Sequence, residues 1–261
     1  MSLVKGSNPG FLFNNYPIDD ISVEKVTTEI FKMISAKDKG FIVTPNAAHF
    51  LYLRKDEAFR EAYRRASFVL PDGSSLIFAS RLLGRPLTER CTGVDVFYSI
   101  IEKLRNGKYK IFLLGGMNGS EQVARDRLLS NNPELKIETY NPPDGFESDT
   151  SETEKIIHSI NSLEPDLLFV FAGSPKSEKF ISRNFNDLRV TVALSLGATL
   201  DYYSGMKKRA PEWVRKTGFE WLYRFLKEPR RLFRRYLTGN SYFIYLTLKQ
   251  LILPRKPGLN G

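Results

Sequence analysis

Five short stretches hold residues that could do chemistry, and each follows an apolar run. They are TPN (44–46), PDG (71–73), GGMNGS (115–120), GSPKSEK (173–179) and SLGATLD (195–201). Asp72 poses the sharpest choice. A short carboxylate there either caps the next helix or takes a proton from a hydroxyl directly beside it. Thr44 and Asn46 carry groups suited to sugar hydroxyls or an incoming acceptor. Gly115, Gly116 and Gly119 permit close backbone approach, and the helix start after them offers amides to a phosphate. The plain alternative is a tight turn. Lys176 fits a phosphate contact or an ordinary helix start equally well. Arg209 in KKRAPEW is a further cation, on backbone stiffened by Pro211. Asp95 and Asp201 are additional carboxylates, each placed where it could instead cap a helix.

Other chemistries lack their residues. LLGGMNGS does not match GxGxxG, so the dinucleotide fingerprint is absent. Neither HExxH nor a DxD pair occurs, which predicts chemistry without a metal. His49 lies one turn past TPN, within reach of a pocket, whereas His158 falls mid-helix and should face solvent. Cys91 is the single cysteine, so no intramolecular disulfide can form. A buried, neutral thiol is expected there.

The 261 residues alternate strand and helix patterns. Apolar runs at GFIV, SFVL, YKIFLL, LKIETY, DLLFVF and VTVALS read as strands. Amphipathic stretches between them read as helices, the first (22–36) with Ser22 as its cap and the one after TYN with Thr or Ser near its cap. This alternation predicts an α/β fold on a mostly parallel sheet covered on both faces. Ligands in such folds bind beyond the carboxyl ends of the strands, so the polar exits should converge on one pocket. Residues 1–20 read as loosely structured, and the first residues lack the apolar run of a secretion signal.

Charge divides the chain. Residues 206–261 hold fourteen Lys and Arg against three acids, a net +11, leaving −1 for residues 1–205 of a chain at +10 overall. The expected organisation is a core over 1–205 and a basic amphipathic helical appendage over 206–261. In the appendage Leu222, Phe225, Leu226, Pro229, Leu232, Phe233 and Tyr236 recur as one apolar stripe, with a break or kink expected at Pro229. Gly239, Asn240 and Ser241 should interrupt any longer apolar segment, leaving YFIYLTLKQLIL too short to cross a bilayer. The reading favoured is an interfacial element whose arginines meet anionic lipid. A terminal helix docked on the protein's own core is the competing reading. No nucleic-acid-binding module is visible.

Taken jointly, several segments resemble the WecG/TagA/CpsF glycosyltransferase family, also called glycosyltransferase family 26. They are TPNA, LPDGSSLIFASR, ERCTGVDVF, IFLLGG, PDLLFVFAGSPKSEKFI and KRAPEWVRKTGFEWLYRFLKEPRRLFRR, within roughly residues 12–238. The resemblance implies a single Rossmann-like domain with a C-terminal appendage that engages the membrane and completes the site. It implies inverting transfer of a sugar (N-acetylmannosamine, its uronic acid or a related hexose) from a UDP-sugar to a polyprenyl-diphosphate-linked saccharide. This would happen at the cytoplasmic face of the membrane, with no cofactor. A homo-oligomer is left open.

Asp72 then stands as the base and Thr44 as a second catalytic residue. Asn46, Gly73, Arg90, Asp95, Gly115, Gly116 and Asn118 become candidate substrate contacts. So do Lys176, Glu178, Gly197, Asp201 and Arg209, while Arg224, Arg230 and Arg231 look suited to a diphosphate. Two departures border the implied donor site: the usual PKQE is PKSE, with Ser177, and the usual GVGG-x-FD is SLGATLD. A nucleotide-dependent oxidoreductase and a non-catalytic membrane adaptor are the rival functions.

Overall fold

A computed structural model describes residues 10–217 and 220–253. It opens with a hairpin, β1 (Phe11–Phe13) and β2 (Tyr16–Ile18), where loose structure was expected. Asn14 and Asn15 take φ of 49° and 73°. This is the left-handed pair that a two-residue hairpin turn demands and that asparagine tolerates. Phe11, Phe13 and Ile18 point into the core while Leu12 and Pro17 face out.

Six more strands follow: β3 (Gly40–Val43), β4 (Phe68–Val69), β5 (Lys110–Leu114), β6 (Lys136–Tyr140), β7 (Leu167–Val170) and β8 (Val192–Ser195). They form one parallel sheet in the order β4-β3-β8-β7-β5-β6. Their side chains alternate between two buried clusters. Ile111 and Leu113 of β5 join one cluster; Phe112 and Leu114 join the other. Burial on both faces explains why these strands read as continuous apolar runs.

The helices of the core are α1 (Val23–Ala36), α2 (His49–Lys55), α3 (Glu57–Arg65), α4 (Ser74–Leu82), α5 (Gly93–Lys103), α6 (Ser120–Asn131), α7 (Thr150–Leu163), α8 (Lys176–Asn184) and α9 (Thr199–Tyr203). Val26, Ile30, Phe97 and Leu128 bring α1, α5 and α6 onto one face of the sheet. Phe50, Phe59, Leu76, Ile156 and Phe180 bring α2, α3, α4, α7 and α8 onto the other. Ser22 caps α1 as expected, accepting from Lys25 N at 3.1 Å. For α7 the cap is Asp149, which accepts from Glu152 N at 3.1 Å, rather than the neighbouring Thr or Ser. Helix α2 was not foreseen. It begins directly after TPN, where the Asn46 carboxamide accepts from Ala48 N at 3.1 Å.

Beyond Gly205 come α10 (Glu212–Lys216), α11 (Glu220–Lys227) and α12 (Pro229–Ile252). Pro229 breaks the helix as expected and occupies the first turn of α12, where its missing N–H costs nothing. The apolar stripe is therefore split between two helices: Leu222, Leu226 and Phe233 are exposed and Phe225 half-buried. The side chains of Arg231, Leu232, Arg234, Arg235 and Tyr236 lie outside the described residues.

Gly239, Asn240 and Ser241 lie inside α12, where they interrupt its apolar sequence as expected without breaking the helix. Gly239 is buried, and a Cβ there would lie 3.0 Å from Ala48 Cα, so the glycine lets α12 cross closely over the start of α2. Packing against α2 compensates for the helix propensity that glycine lacks. Phe243 stacks on Phe13 with ring centroids 4.7 Å apart and packs against Phe50 at 5.4 Å. Gln250 donates to Leu12 O at 2.9 Å and accepts from Asn14 N at 3.0 Å. One face of α12 is thus docked on the core, while Leu237, Ile244, Tyr245, Leu248 and Leu251 stay exposed. No helix among the described residues is long and apolar enough to cross a membrane.

Phe243→Ala removes this ring stack and is expected to weaken helix docking by roughly 3 kcal/mol. Limited proteolysis should then cut beyond Gly205 faster than in the parent chain. Equal cleavage rates would refute the assignment of Phe243 as the anchor.

Candidate active site

A cavity of about 760 Å³ opens beyond the carboxyl ends of β3, β4, β7 and β8. Thr44 and Asn46 enter it from the β3 exit, Asp72 and Gly73 from β4, Gly173, Ser174 and Glu178 from β7, and Gly197 from β8. Arg90 and Thr92 contribute from the segment before α5. Arg209, Glu220, Trp221, Arg224 and Phe243 close it from the C-terminal side.

The exits are stitched together by short contacts. Asp72 N donates to Pro45 O at 3.0 Å. Thr44 is buried, and its hydroxyl donates to Ser195 O at 3.2 Å. At Gly73 a Cβ would stand 3.3 Å from Asn46 Cα, so the β3 and β4 exits meet closely. No side chain caps α4, whose N-cap is Gly73, and the capping alternative for Asp72 falls away. The Asp72 carboxyl is pushed up to about 6 by burial, against the pull of Arg90 and Arg224 and with help from Glu220 and Asp95.

The cations form a network across the cavity. Glu220 receives Arg90 Nη2 at 3.0 Å and Arg209 Nε at 3.4 Å. Arg209 Nη1 also meets Asp95 at 2.7 Å. Asp95 does not cap α5 itself; Thr92 does, accepting from Asp95 N at 3.0 Å while donating to the Asp95 carboxylate at 2.6 Å. Burial opposes ionisation of Asp95, but Arg209 and Thr92 outweigh it and hold the carboxyl below its usual range. Burial likewise opposes the charge on Arg209, which Asp95 and Glu220 secure.

Several expected contacts lie elsewhere. Gly116 has φ of +106°, and a Cβ there would fall 2.4 Å from Ser120 Oγ. Asp201, buried, accepts from Met117 N at 2.9 Å and pairs with Lys207 at 3.6 Å. The Gly115–Gly116 turn is therefore tied to α9 beside the cavity rather than lining it, and Asn118 on the same loop is exposed. Lys176 faces Glu147 at 3.5 Å, and Arg230 is exposed on α12; neither lines the cavity. The Arg231 side chain lies outside the described residues. His158 is exposed as expected, and burial pushes the Cys91 thiol far up.

His49 reaches the cavity as its place one turn past TPN allowed, whereas Tyr63 and Glu220 carried no sequence signal. His49 is buried in the cavity wall with Nδ1 2.7 Å from the Tyr63 hydroxyl. A tyrosine on an amphipathic helix reads as core, so Tyr63 gives no signal of its own. Burial, with Glu178 and Asp72 nearby, keeps its phenol protonated. Glu220 has no signal in the sequence beyond its charge, because both of its arginine partners are set by the fold.

Polar strand exits that gather a carboxylate with a raised pKa, a threonine, an asparagine and four arginines around one cavity are the arrangement expected of an enzyme site for a charged small molecule. The sequence profile of the glycosyl transferase WecG/TagA/CpsF family matches residues 11–257, and the chain belongs to that family. It is a glycosyltransferase, which sets aside the oxidoreductase and the adaptor. Among its relatives is the N-acetylglucosaminyldiphosphoundecaprenol N-acetyl-beta-D-mannosaminyltransferase of Bacillus spizizenii. That protein is 32% identical over 226 residues, 86% of this chain and 85% of the relative. The protein of the same name from Staphylococcus aureus strain MW2 is 28% identical over 245 residues, 90% of this chain and 94% of its own length.

If Asp72 must be ionised to act, kcat/KM should fall about tenfold per pH unit below a limb near pH 6. Arg90 lowers the Asp72 pKa, so Arg90→Gln should move that limb to higher pH. A pH–rate profile checks both; a limb that stays in place in the variant contradicts the coupling.

Proposed function

We propose that this enzyme transfers N-acetylmannosamine, or a closely related hexose, from a UDP-sugar to a polyprenyl-diphosphate-linked saccharide. The observation that carries the reading is Asp72: a carboxylate with a pKa near 6, not used as a cap, facing a cavity that arginines share. Asp72 takes the proton of the acceptor hydroxyl as its oxygen attacks the anomeric carbon. The bond from that carbon to the UDP oxygen breaks, and the departing diphosphate gains negative charge. Arg209 and Arg224 neutralise it from the cavity wall. Thr44 and Asn46 orient hydroxyl groups beside the reacting carbon. Displacement of an α-linked UDP inverts the centre and yields a β-linked product, the anomer in the relatives' names.

The sheet and its crossover helices support a Rossmann-like description of residues 1–205. Residues after Gly205 act as a cationic cover that completes the site. The exposed apolar side of α12, together with the basic charge of this region, supports peripheral attachment to an anionic membrane surface at the cytoplasmic face. An acceptor whose lipid stays in the bilayer requires such a site.

Incubation with UDP-N-acetylmannosamine and an N-acetylglucosaminyl-diphospho-lipid should yield a product heavier by one N-acetylhexosamine in mass spectrometry. Asp72→Asn should keep UDP-sugar binding and lose roughly 10²–10⁴ in turnover. Near-parental turnover in that variant would exclude the base role. In a separate assay, the double replacement Ile244→Asp, Leu248→Asp should reduce sedimentation with anionic vesicles, and equal sedimentation would exclude α12 as the membrane-facing element.

A further inference from the structure

The cavity changes character along its length. Ser74, Ile77, Phe78 and Arg81 all line it. Their spacing places them on one face of α4, which runs away from Asp72 at about 1.5 Å per residue. Along that face the apolar Ile77 and Phe78 form a band between Ser74 and, about one turn further on, Arg81. Across the same cavity stand Trp221 of α11 with Phe243 and Ile244 of α12. Phe78 is 68% exposed at this rim, an aromatic ring that the core does not need. Ile244 also belongs to the exposed series Leu237, Ile244, Leu248 and Leu251, whose seven-, four- and three-residue steps form one face of α12. An apolar path thus runs from the arginine-lined part of the cavity onto the outer side of the last helix.

A ligand complementary to both ends has a diphosphate joined directly to a hydrocarbon chain. We propose that the groove between α4 and α11–α12 binds the first isoprene units of the acceptor lipid, with Phe78 and Trp221 as its walls. This rests on the acceptor reading given above and adds to it a subsite in the protein itself. General contact with a bilayer would not require apolar residues lining the cavity interior, where Ile77 is half-buried and Phe243 buried. Docking of α12 by Phe243 on the hairpin builds one wall of the groove, so the groove exists only when the C-terminal helix is seated.

The test uses the full chain carrying Trp213→Phe, which leaves Trp221 as the single tryptophan reporter. Farnesyl diphosphate, added below its aggregation threshold, should shift Trp221 emission to the blue and bind more tightly than pyrophosphate. Phe78→Ser, an exposed change that spares the core, should weaken farnesyl diphosphate about tenfold and leave pyrophosphate affinity unchanged. Its sedimentation with anionic vesicles should also match that of the parent chain. Three results would overturn the proposal: farnesyl diphosphate binding no better than pyrophosphate, equal weakening of both ligands by Phe78→Ser, or loss of vesicle binding in that variant. None of these readouts depends on sugar transfer. If the prenyl preference holds but no sugar is transferred, the groove stands and the transfer reaction falls; the reverse result removes the groove alone.

Discussion

A carboxylate drawn out of bulk water must be repaid by charge or by protonation, and the cavity is arranged around that constraint. Burial pushes the Asp72 carboxyl above its usual range. Arg90 and Arg224 restrain the shift, so the group stays near 6. That is high enough to accept a proton well and low enough to be ionised at neutral pH. The arginines have the converse need. Glu220 and Asp95 supply their counter-charges, and Glu220 reaches Arg90 and Arg209 at once. The four side chains Arg90, Asp95, Arg209 and Glu220 therefore form one electrostatic unit between the sheet exits and the C-terminal helices.

That unit makes the C-terminal region part of the cavity wall. Arg209, Glu220 and Arg224 all lie beyond Gly205 in sequence, yet they line the same cavity as Thr44 and Asp72. What holds them there includes an apolar contact at the opposite end of the chain: Phe243 on Phe13, with Gln250 closing onto the hairpin backbone. The first strands and the last helix are mutually dependent. The hairpin gives α12 a surface, and α12 shields Phe13 from water.

Within the candidate site, residues divide by how directly they reach the cavity. Thr44, Asn46, Asp72, Gly73, Arg90, Glu178, Gly197, Arg209 and Arg224 line it. Gly115, Gly116, Asn118 and Asp201 belong to a neighbouring exit that is locked to α9. A glycine pair after a strand signals a left-handed turn, but not whether a ligand or another part of the protein fills the space beside it. Here Ser120 and Leu200 fill it. Lys176 shows the same ambiguity, because a cation at a helix start serves a phosphate or a neighbouring acid alike, and Glu147 is the neighbour.

Local pattern alone determined the strands, most helices, the break at Pro229 and the polar exits, because hydrophobic period and turn chemistry act over a few residues. It also marked Asp72, since carboxylates at strand exits are few. The hairpin is legible in Asn14–Asn15 between two short apolar runs, a turn signal that the expectation of loose structure left out of account. Only the tertiary structure decided that Gly239 would let α12 cross closely over α2, that His49 would meet Tyr63, and that Glu220 would bridge two arginines. Each of those outcomes depends on a partner distant in sequence: close packing, desolvation and charge compensation arise only once the folded chain has brought the partners together.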